Sequence, residues 1–233
     1  MRAPSIKIRT FLSTLPMFQD LSAEELERIA AGTTEVRVSK GQTIFQRGDP
    51  CLGLHAVVYG QVKLGFVSPQ GSEKVIDLLG PGQSFGEALM FSDRNYVVYA
   101  QALADSMLLH ISKETIDAEI DADPRLARVM LASLSHRLIG LIQDVEAYSL
   151  RSGMQRVIGY ILRDVDEHTP QGADDAPVRI RLDANKGVIA SRLNLTPEHF
   201  SRILGELSHE GAIRVHGAEI EIVDPQRLRR HLA

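Results

Sequence analysis

Residues 186 to 210 read KGVIASRLNLTPEHFSRILGELSHE, and this stretch decides the fold of the C-terminal part of the chain. A short apolar helix from Gly187 to Leu193 is predicted to end at Asn194, because asparagine is among the few non-glycine residues that tolerate the left-handed conformation. Thr196 is a typical N-cap, and the proline after it suits the first position of a second helix. The stretch therefore predicts a helix-turn-helix.

The second helix of this stretch has two different faces. Its apolar positions share one stripe, which is expected to face a core: Phe200, Ile203, Leu204 and Leu207. Gly211 is predicted to end the helix as the C′ residue. The alternating residues from Ile213 to Ile222 then predict a tight hairpin, which would make the helix-turn-helix a winged one.

The opposite face of the same helix carries Glu198, Ser201 and Arg202. Glu198 and Arg202 are spaced i,i+4, so the bland interpretation is an exposed ion pair of little energetic consequence. In the second helix of a helix-turn-helix, however, these positions enter the major groove of DNA. Arginine can bind guanine in bidentate fashion, glutamate can accept from cytosine, and Ser201 would add a third contact. We expect phosphate contacts from three further residues: Lys186, Thr196 and His199.

Upstream of this region lies a long predicted helix that begins at Asp123 and Pro124, an N-cap followed by proline. Its apolar residues recur at steps of three and four, which is the pattern of a coiled-coil seam: Ala127, Leu131, Leu134, Leu138, Leu141, Val145 and Tyr148. Such a seam can be buried against the same chain's core or against a second copy. Because the seam is narrow and flanked by polar residues, a homodimer is favoured.

The first half of the chain is predicted to be mostly β-structure. A capping box at Ser22 and Glu25 indicates a short helix, and seven short strands punctuated by glycine follow before residue 112. This pattern is typical of a barrel, sandwich or jelly roll. The predicted fold class is α+β: a β-roll sensor domain at 1–120, a dimerisation helix at 121–150 and a winged helix-turn-helix at 151–233, the last including a polar loop from His168 to Pro177.

The composition and motifs of the chain exclude or disfavour several classes of protein. The single cysteine, Cys51, suits a reducing cytoplasm and excludes a four-cysteine iron–sulfur cluster within one chain. No apolar run is long enough to span a membrane, and the basic residues 1–9 lack the apolar core of a signal peptide. The net charge of −4 argues against indiscriminate nucleic-acid binding. An enzyme is disfavoured because no phosphate loop, nucleophile elbow or metal-ligand spacing is present.

The order of β-roll, long helix and winged helix-turn-helix resembles the CRP/FNR family of bacterial regulators. The motif Glu198-x-x-Ser201-Arg202 is similar to the FNR-type recognition helix, whose members read a TTGAT half-site, whereas the catabolite-activator type has glycine where Ser201 stands. Three stretches look like the Dnr-type subgroup of denitrification regulators: YVVYAQA (96–102), RVIGYIL (156–162) and PEHFSRI (197–203). The resemblance implies a cytoplasmic transcription regulator that binds double-stranded DNA at an inverted repeat as a homodimer and contacts RNA polymerase.

The same resemblance bears on the signal. Members that bind cyclic AMP hold its phosphate with a Gly-Glu pair and a later Arg-Ser pair. Gly86 and Glu87 match the first pair, but Val97 and Val98 stand at the second, which would leave a buried phosphate without its main partner. Cyclic AMP is therefore disfavoured. We expect an effector pocket near four residues: Gly86, Glu87, Met90 and Tyr96.

Dnr-like members are linked to nitric oxide through haem, so the resemblance leaves haem as a candidate cofactor. Haem iron needs an axial histidine, cysteine or methionine, and the sensor and long helix offer five: Cys51, His55, Met90, His110 and His136. The histidines near the start of some Dnr-type chains are replaced here by Leu15, Pro16 and Met17. A non-haem ligand therefore stays open, as does the alternative of a ligand-binding module without DNA activity.

Overall fold

The computed structural model describes residues 8–168 and 178–232, except the side chains of 164–168, and divides into two compact units, Met1–Gly140 and Leu141–Ala233. Most of the predicted polar loop after His168, together with the first seven residues, lies outside the described part. The predicted α+β class is confirmed: a β-sandwich, a long helix and a helical domain with a small sheet follow one another.

The first unit consists of short helices around two antiparallel sheets. Its elements before the long helix are α1 (Ile8–Leu12), α2 (Ala23–Ala31), β1 (Thr33–Val38), β2 (Thr43–Phe45), β3 (Gly53–Tyr59), β4 (Val62–Val67), β5 (Glu73–Leu79), β6 (Ser84–Phe85), α3 (Glu87–Met90), β7 (Tyr99–Ala102), β8 (Ser106–Ser112) and α4 (Lys113–Ala122). The strand orders are β1-β8-β3-β6 and β2-β7-β4-β5. Apolar side chains from both sheets, among them Val57, Val62 and Leu108, form one core between them.

Two segments of this unit differ from the sequence-based expectation. The pattern of residues 96–102 predicts a strand, but β7 begins only at Tyr99. Tyr96 is held in a loop, because its amide donates to Asp49 O and its ring stacks on Phe45 with centroids 3.5 Å apart. Residues 113–122, for which no helix was predicted, form α4 behind an N-cap at Ser112, whose hydroxyl accepts from Thr115 N. Tertiary contacts in the first case and an unrecognised cap in the second explain the differences.

The long helix, α5, runs from Arg125 to Leu150 and continues from the first unit into the second. It begins one residue after the predicted first position, and the Asp123 carboxylate accepts from Arg125 N at 3.0 Å. A short helix and a 26-residue helix therefore follow the β-sandwich directly, within residues 113–150.

The second unit, beyond the end of α5, is a winged helix-turn-helix. Its elements are α6 (Gly153–His168), β9 (Val178–Arg181), α7 (Lys186–Arg192), α8 (Pro197–His209), β10 (Ile213–His216), β11 (Glu219–Ile222) and α9 (Pro225–Arg230), with the antiparallel strand order β10-β11-β9. The predicted turn is confirmed by a φ of +57° at Asn194, and the predicted helix end by a φ of +71° at Gly211. Helix α8 buries the predicted stripe, from Phe200 to Leu207, in the core of this unit.

Candidate DNA-binding interface and sensor pocket

Helix α8 presents a polar face to solvent. The Thr196 hydroxyl caps the helix by accepting from His199 N at 3.2 Å, and Pro197 occupies the first turn. Glu198, Ser201 and Arg202 are all exposed, since the opposite face of the helix is buried. The three residues expected to read bases therefore share one accessible surface on the first two turns of the helix, which is the part that enters the major groove in helix-turn-helix proteins.

Glu198 and Arg202 do not form the ion pair that their i,i+4 spacing allows and that the bland interpretation assumes. Arg202 instead faces Glu206, with 3.9 Å between Nε and Oε1, and its side chain remains 67% exposed. Glu198 accepts hydrogen bonds from its own backbone amide and from Thr196, and these hold the pKa of its carboxyl below the ordinary value. Free N–H groups at a helix start compete well for a carboxylate. Arg202 consequently carries a weakly held guanidinium at the surface.

The residues expected to contact phosphate lie at the starts of two helices. Lys186 is the first residue of α7, behind an N-cap at Asn185, and Thr196 is the N-cap of α8. His199 is half-buried, and its ring lies so close to Gly153 that a Cβ there would be 3.1 Å from its Cε1. Helix starts offer backbone N–H groups to anions. The arrangement suits phosphate contacts at both, with His199 more restricted than the sequence indicated.

The heptad residues of α5 are largely exposed in the single chain. Leu131, Leu138, Leu141 and Val145 each expose half or more of their surface, whereas Ala127, Leu134 and Tyr148 are half-buried. Two further exposed side chains, Ile139 and Ile142, lie beside this row. They were missed from the sequence because they do not occupy a or d positions of the heptad. A contiguous exposed apolar strip of this kind is typical of an interaction surface.

The Gly86-Glu87 turn of the β-sandwich is contacted by Arg137, a residue that sequence reasoning missed. Gly86 has a φ of +102°, which favours glycine, and a Cβ there would lie 3.1 Å from Gly53 O. Glu87 is buried, and its Oε2 accepts from Arg137 Nη1 of α5 at 3.1 Å. Arg137 Nη2 also donates to Ser84 O at 2.6 Å. A cation of the protein itself therefore faces the carboxylate.

The other two residues expected at the effector pocket are core residues, and three further haem-ligand candidates are buried or half-buried. Met90 and Tyr96 are buried, Met90 completely. His55 is buried against Phe85, with ring centroids 5.1 Å apart, and burial together with the neighbouring His110 lowers its pKa to about 3. Burial also lowers the pKa of His110. The Cys51 thiol donates weakly to the carbonyls of Gly53 and Gly86.

A pocket of about 370 Å³ lies elsewhere on the first unit, between the segment after α1 and the long helix α5. Its walls are Leu15, Pro16, Met17, Gly82, Gln83, Ser84, Val129, Ala132, Ser133, His136 and Arg137. Of the five candidate axial ligands, His136 lines it. Arg137 therefore belongs to both this pocket and the Glu87 ion pair.

Two features are absent from residues 8–168 and 178–232. Within these ranges no helix combines the length and apolarity needed to cross a membrane. The same described residues contain no group of three or more histidine, cysteine, aspartate or glutamate side chains that could hold a metal ion.

Comparison with known proteins gives matches over both units. Residues 35–123 match the family model "Cyclic nucleotide-binding domain" and residues 155–231 match "Crp-like helix-turn-helix domain". The "Fumarate and nitrate reduction regulatory protein" of Escherichia coli (strain K12) is 29% identical over 185 residues, covering 79% of this chain and 73% of that protein. The "CRP-like cAMP-activated global transcriptional regulator" of Mycobacterium tuberculosis (strain ATCC 25618 / H37Rv) is 23% identical over 94% of this chain and 97% of its own.

Solved structures extend the comparison. The crystal structure of DNR from Pseudomonas aeruginosa is 32% identical, with a TM-score of 0.51, and covers 99% of this chain and 100% of that one. FixK2 from Bradyrhizobium japonicum has a TM-score of 0.74 over 85% of this chain and 96% of its own, at 22% identity. The second likeness is evidence of the fold alone.

Proposed function

Because this chain belongs to the CRP/FNR family of DNA-binding transcription regulators, we propose that it reads an inverted repeat with TTGAT-like half-sites as a homodimer and responds to a signal in its β-sandwich. The observation that carries the proposal is the shared exposure of Glu198, Ser201 and Arg202 on the first turns of α8. Regulators of this family bind DNA and act as dimers. The relatives are regulators, not enzymes.

Base reading follows from the chemistry of that face. The guanidinium of Arg202 donates to O6 and N7 of the guanine in each half-site, and Glu198 accepts from a cytosine amine on the partner strand. Glu198 must leave its own backbone N–H and the Thr196 hydroxyl, which it binds in the free protein, so its contact forms on docking. Lys186 and Thr196 orient the domain on the phosphates without contributing to sequence preference.

Dimerisation follows from the exposed strip on α5. Each large apolar side chain removed from water contributes about 1.5–3 kcal/mol, and the strip offers Leu131, Leu138, Leu141 and Val145 in every copy. A twofold axis along this helix pairs the strip with itself and gives two recognition helices for two half-sites, whose centres lie one DNA turn, about 34 Å, apart. Contact with RNA polymerase is part of the proposal by resemblance alone.

The signal is not cyclic AMP in this proposal. The carboxylate of Glu87 is already paired with Arg137, and the positions of the second phosphate-binding pair carry Val97 and Val98, of which Val97 is 53% exposed. A cyclic phosphate bound at this turn would add a negative charge beside the Glu87 carboxylate without adding a cation. This arrangement supports a ligand other than cyclic AMP, bound at a place other than the Gly86-Glu87 turn.

The residues of the pocket between the segment after α1 and α5 fit haem, the candidate of the Dnr-type subgroup. His136 supplies an imidazole and Met17 a thioether at the walls, apolar side chains such as Leu15 and Val129 supply a surface for a porphyrin face, and Arg137 can pair with a propionate. When bound, haem supplies an iron that binds nitric oxide. His136 would hold the iron, and α5 would carry the change, since the same helix bears the dimer strip.

The DNA-binding part is tested by selection from a random duplex library with the purified full chain. Enrichment of an inverted repeat containing TTGAT-like half-sites supports it. A library that stays unenriched over repeated rounds would favour the alternative, a ligand-binding module without DNA activity.

The haem part is tested separately by absorption spectroscopy. Protein reconstituted with haem should give a Soret band that shifts with nitric oxide. In His136→Ala the Soret band should no longer lie at the wavelength of the protein-bound haem. His209→Ala, which removes an exposed histidine of the second unit, is the matched control. An identical spectrum for His136→Ala and wild type would reject His136 as the ligand, and the absence of any bound haem would leave a non-haem ligand.

A further inference from the structure

The end of α7, just before the DNA-reading helix, is held by side chains from outside the helix-turn-helix. The Tyr148 hydroxyl of α5 donates to Arg192 O at 2.5 Å. Arg156 Nη1 of α6 donates to Leu193 O at 2.9 Å and to Asn194 O at 3.2 Å. Three consecutive carbonyls at this turn thus receive a hydrogen bond from another helix. The last carbonyls of a helix have no partner within it, so these bonds satisfy groups that would otherwise depend on water.

The side chain of Arg192 closes this network from the other side. Its Nη1 donates to the Tyr148 hydroxyl at 2.6 Å, and its Nη2 donates to Asp144 Oδ2 at 2.7 Å. Arg192 is 18% and Asp144 29% exposed, so the pair is partly shielded from solvent. The Arg156 guanidinium lies 6.0 Å from the centre of the Tyr148 ring. Two turns of α5 are therefore tied to the end of α7 through both main chain and side chain.

This anchor lies where the direction of α8 is decided. Asn194 has the left-handed φ of +57°, and two residues later Thr196 caps α8. Small rotations at such a turn tilt the following helix as a rigid body and move Arg202 relative to a base edge. From this geometry we infer that Tyr148, Asp144 and Arg156 are positioning residues for DNA reading, and that Tyr148 acts on the turn and not in the dimer strip. The inference rests on the proposed DNA-binding function.

The decisive variant is Tyr148→Phe, which keeps the ring and removes the hydroxyl. We expect its affinity for the duplex enriched by selection to fall about tenfold, equivalent to about 1.4 kcal/mol, while its affinity for a scrambled duplex changes less than about twofold, because phosphate contacts tolerate tilt better than base contacts. Fluorescence anisotropy at one fixed salt concentration measures both. Tyr160→Phe, which removes a hydroxyl 3.4 Å from Asp183 in the same unit, is the matched control.

A second measurement needs no DNA. Hydrogen exchange in the free dimer should be faster in Tyr148→Phe at the amides of residues 193–199, and unchanged in Tyr160→Phe. A pair of variants at the partly exposed Asp144 guards against misfolding: Asp144→Asn keeps an acceptor for Arg192 and should stay close to wild type, whereas Asp144→Ala should share the selective loss and the faster exchange.

The outcomes separate this inference from the proposed function. Selective loss on the enriched duplex with faster exchange at 193–199 supports it. Equal loss on both duplexes, unchanged exchange, or a Tyr148→Phe chain that dissociates to monomers while its dimer binds normally would each overturn it. A wild-type protein that enriches no duplex refutes the proposed function instead, and the exchange data still decide whether Tyr148 holds the turn.

Discussion

Replacing Arg202 with alanine tests the base-reading face most directly. The side chain is 67% exposed and its ion pair with Glu206 spans 3.9 Å, so its loss should change the free energy of unfolding by no more than about 0.5 kcal/mol. A bidentate contact to guanine is worth about 1–3 kcal/mol of discrimination. Two half-sites in a dimer double this range, which corresponds to a loss of about 30-fold to about 20,000-fold in specific affinity.

The assay is a titration of labelled enriched duplex and of a duplex in which the half-site guanine is replaced, at one salt concentration, because salt changes both affinities. Arg202→Ala should bind the two duplexes alike, and wild type should not. Arg47→Ala, which removes an exposed arginine from the first unit, controls for the loss of charge. Equal weakening on both duplexes would show that Arg202 contacts phosphate and would refute the assignment to base reading.

Three more predictions concern the dimer and the sensor. Leu138→Glu should make the protein monomeric at micromolar concentration by analytical ultracentrifugation without unfolding it, since this side chain is 59% exposed, while Gln143→Glu on the same helix should stay dimeric. His55, whose pKa falls from 6.5 to about 3 in the folded state, should reduce the free energy of unfolding by about 2 kcal/mol between pH 8 and pH 5, because only the unfolded chain takes up its proton; urea unfolding of His55→Gln should lack this component. Arg137→Ala should cost about 3 kcal/mol in the same assay by leaving buried Glu87 unpaired, and adding Glu87→Gln should restore most of it; no recovery in the double variant would contradict the pairing.

The features predicted from sequence alone are those fixed by neighbours in the chain. The capping box at Ser22, the left-handed Asn194 and the cap at Thr196 all depend on residues within four positions. Each side chain of this kind competes for backbone groups that are adjacent wherever the chain goes. The order of β-sandwich, long helix and winged helix-turn-helix followed from these local signals and from periodicity, which is why the fold class could be predicted.

The differences arise where two partners compete or where the partner is distant. Glu198 has the spacing for a pair with Arg202, but its own backbone N–H and the Thr196 hydroxyl are near it in the chain and do not require two long side chains to be ordered. The heptad places Tyr148 in the strip with the leucines, yet its hydroxyl finds Arg192, 44 positions away. A period of 3.5 residues identifies a helix face but does not specify what each member of that face contacts.

The clearest case is the half-matched sensor motif. From the sequence alone, the Gly86-Glu87 pair without a following Arg-Ser pair looks like a cyclic-nucleotide site that has lost part of its ligand contacts. In the structure, the glycine is required by its φ of +102° beside Gly53 O, and the glutamate is buried against Arg137, 50 positions downstream. Burying a carboxylate is costly unless a cation pairs with it, and here the long helix supplies Arg137. The retained pair therefore serves the contact between the β-sandwich and α5, and its presence is no argument for a bound nucleotide.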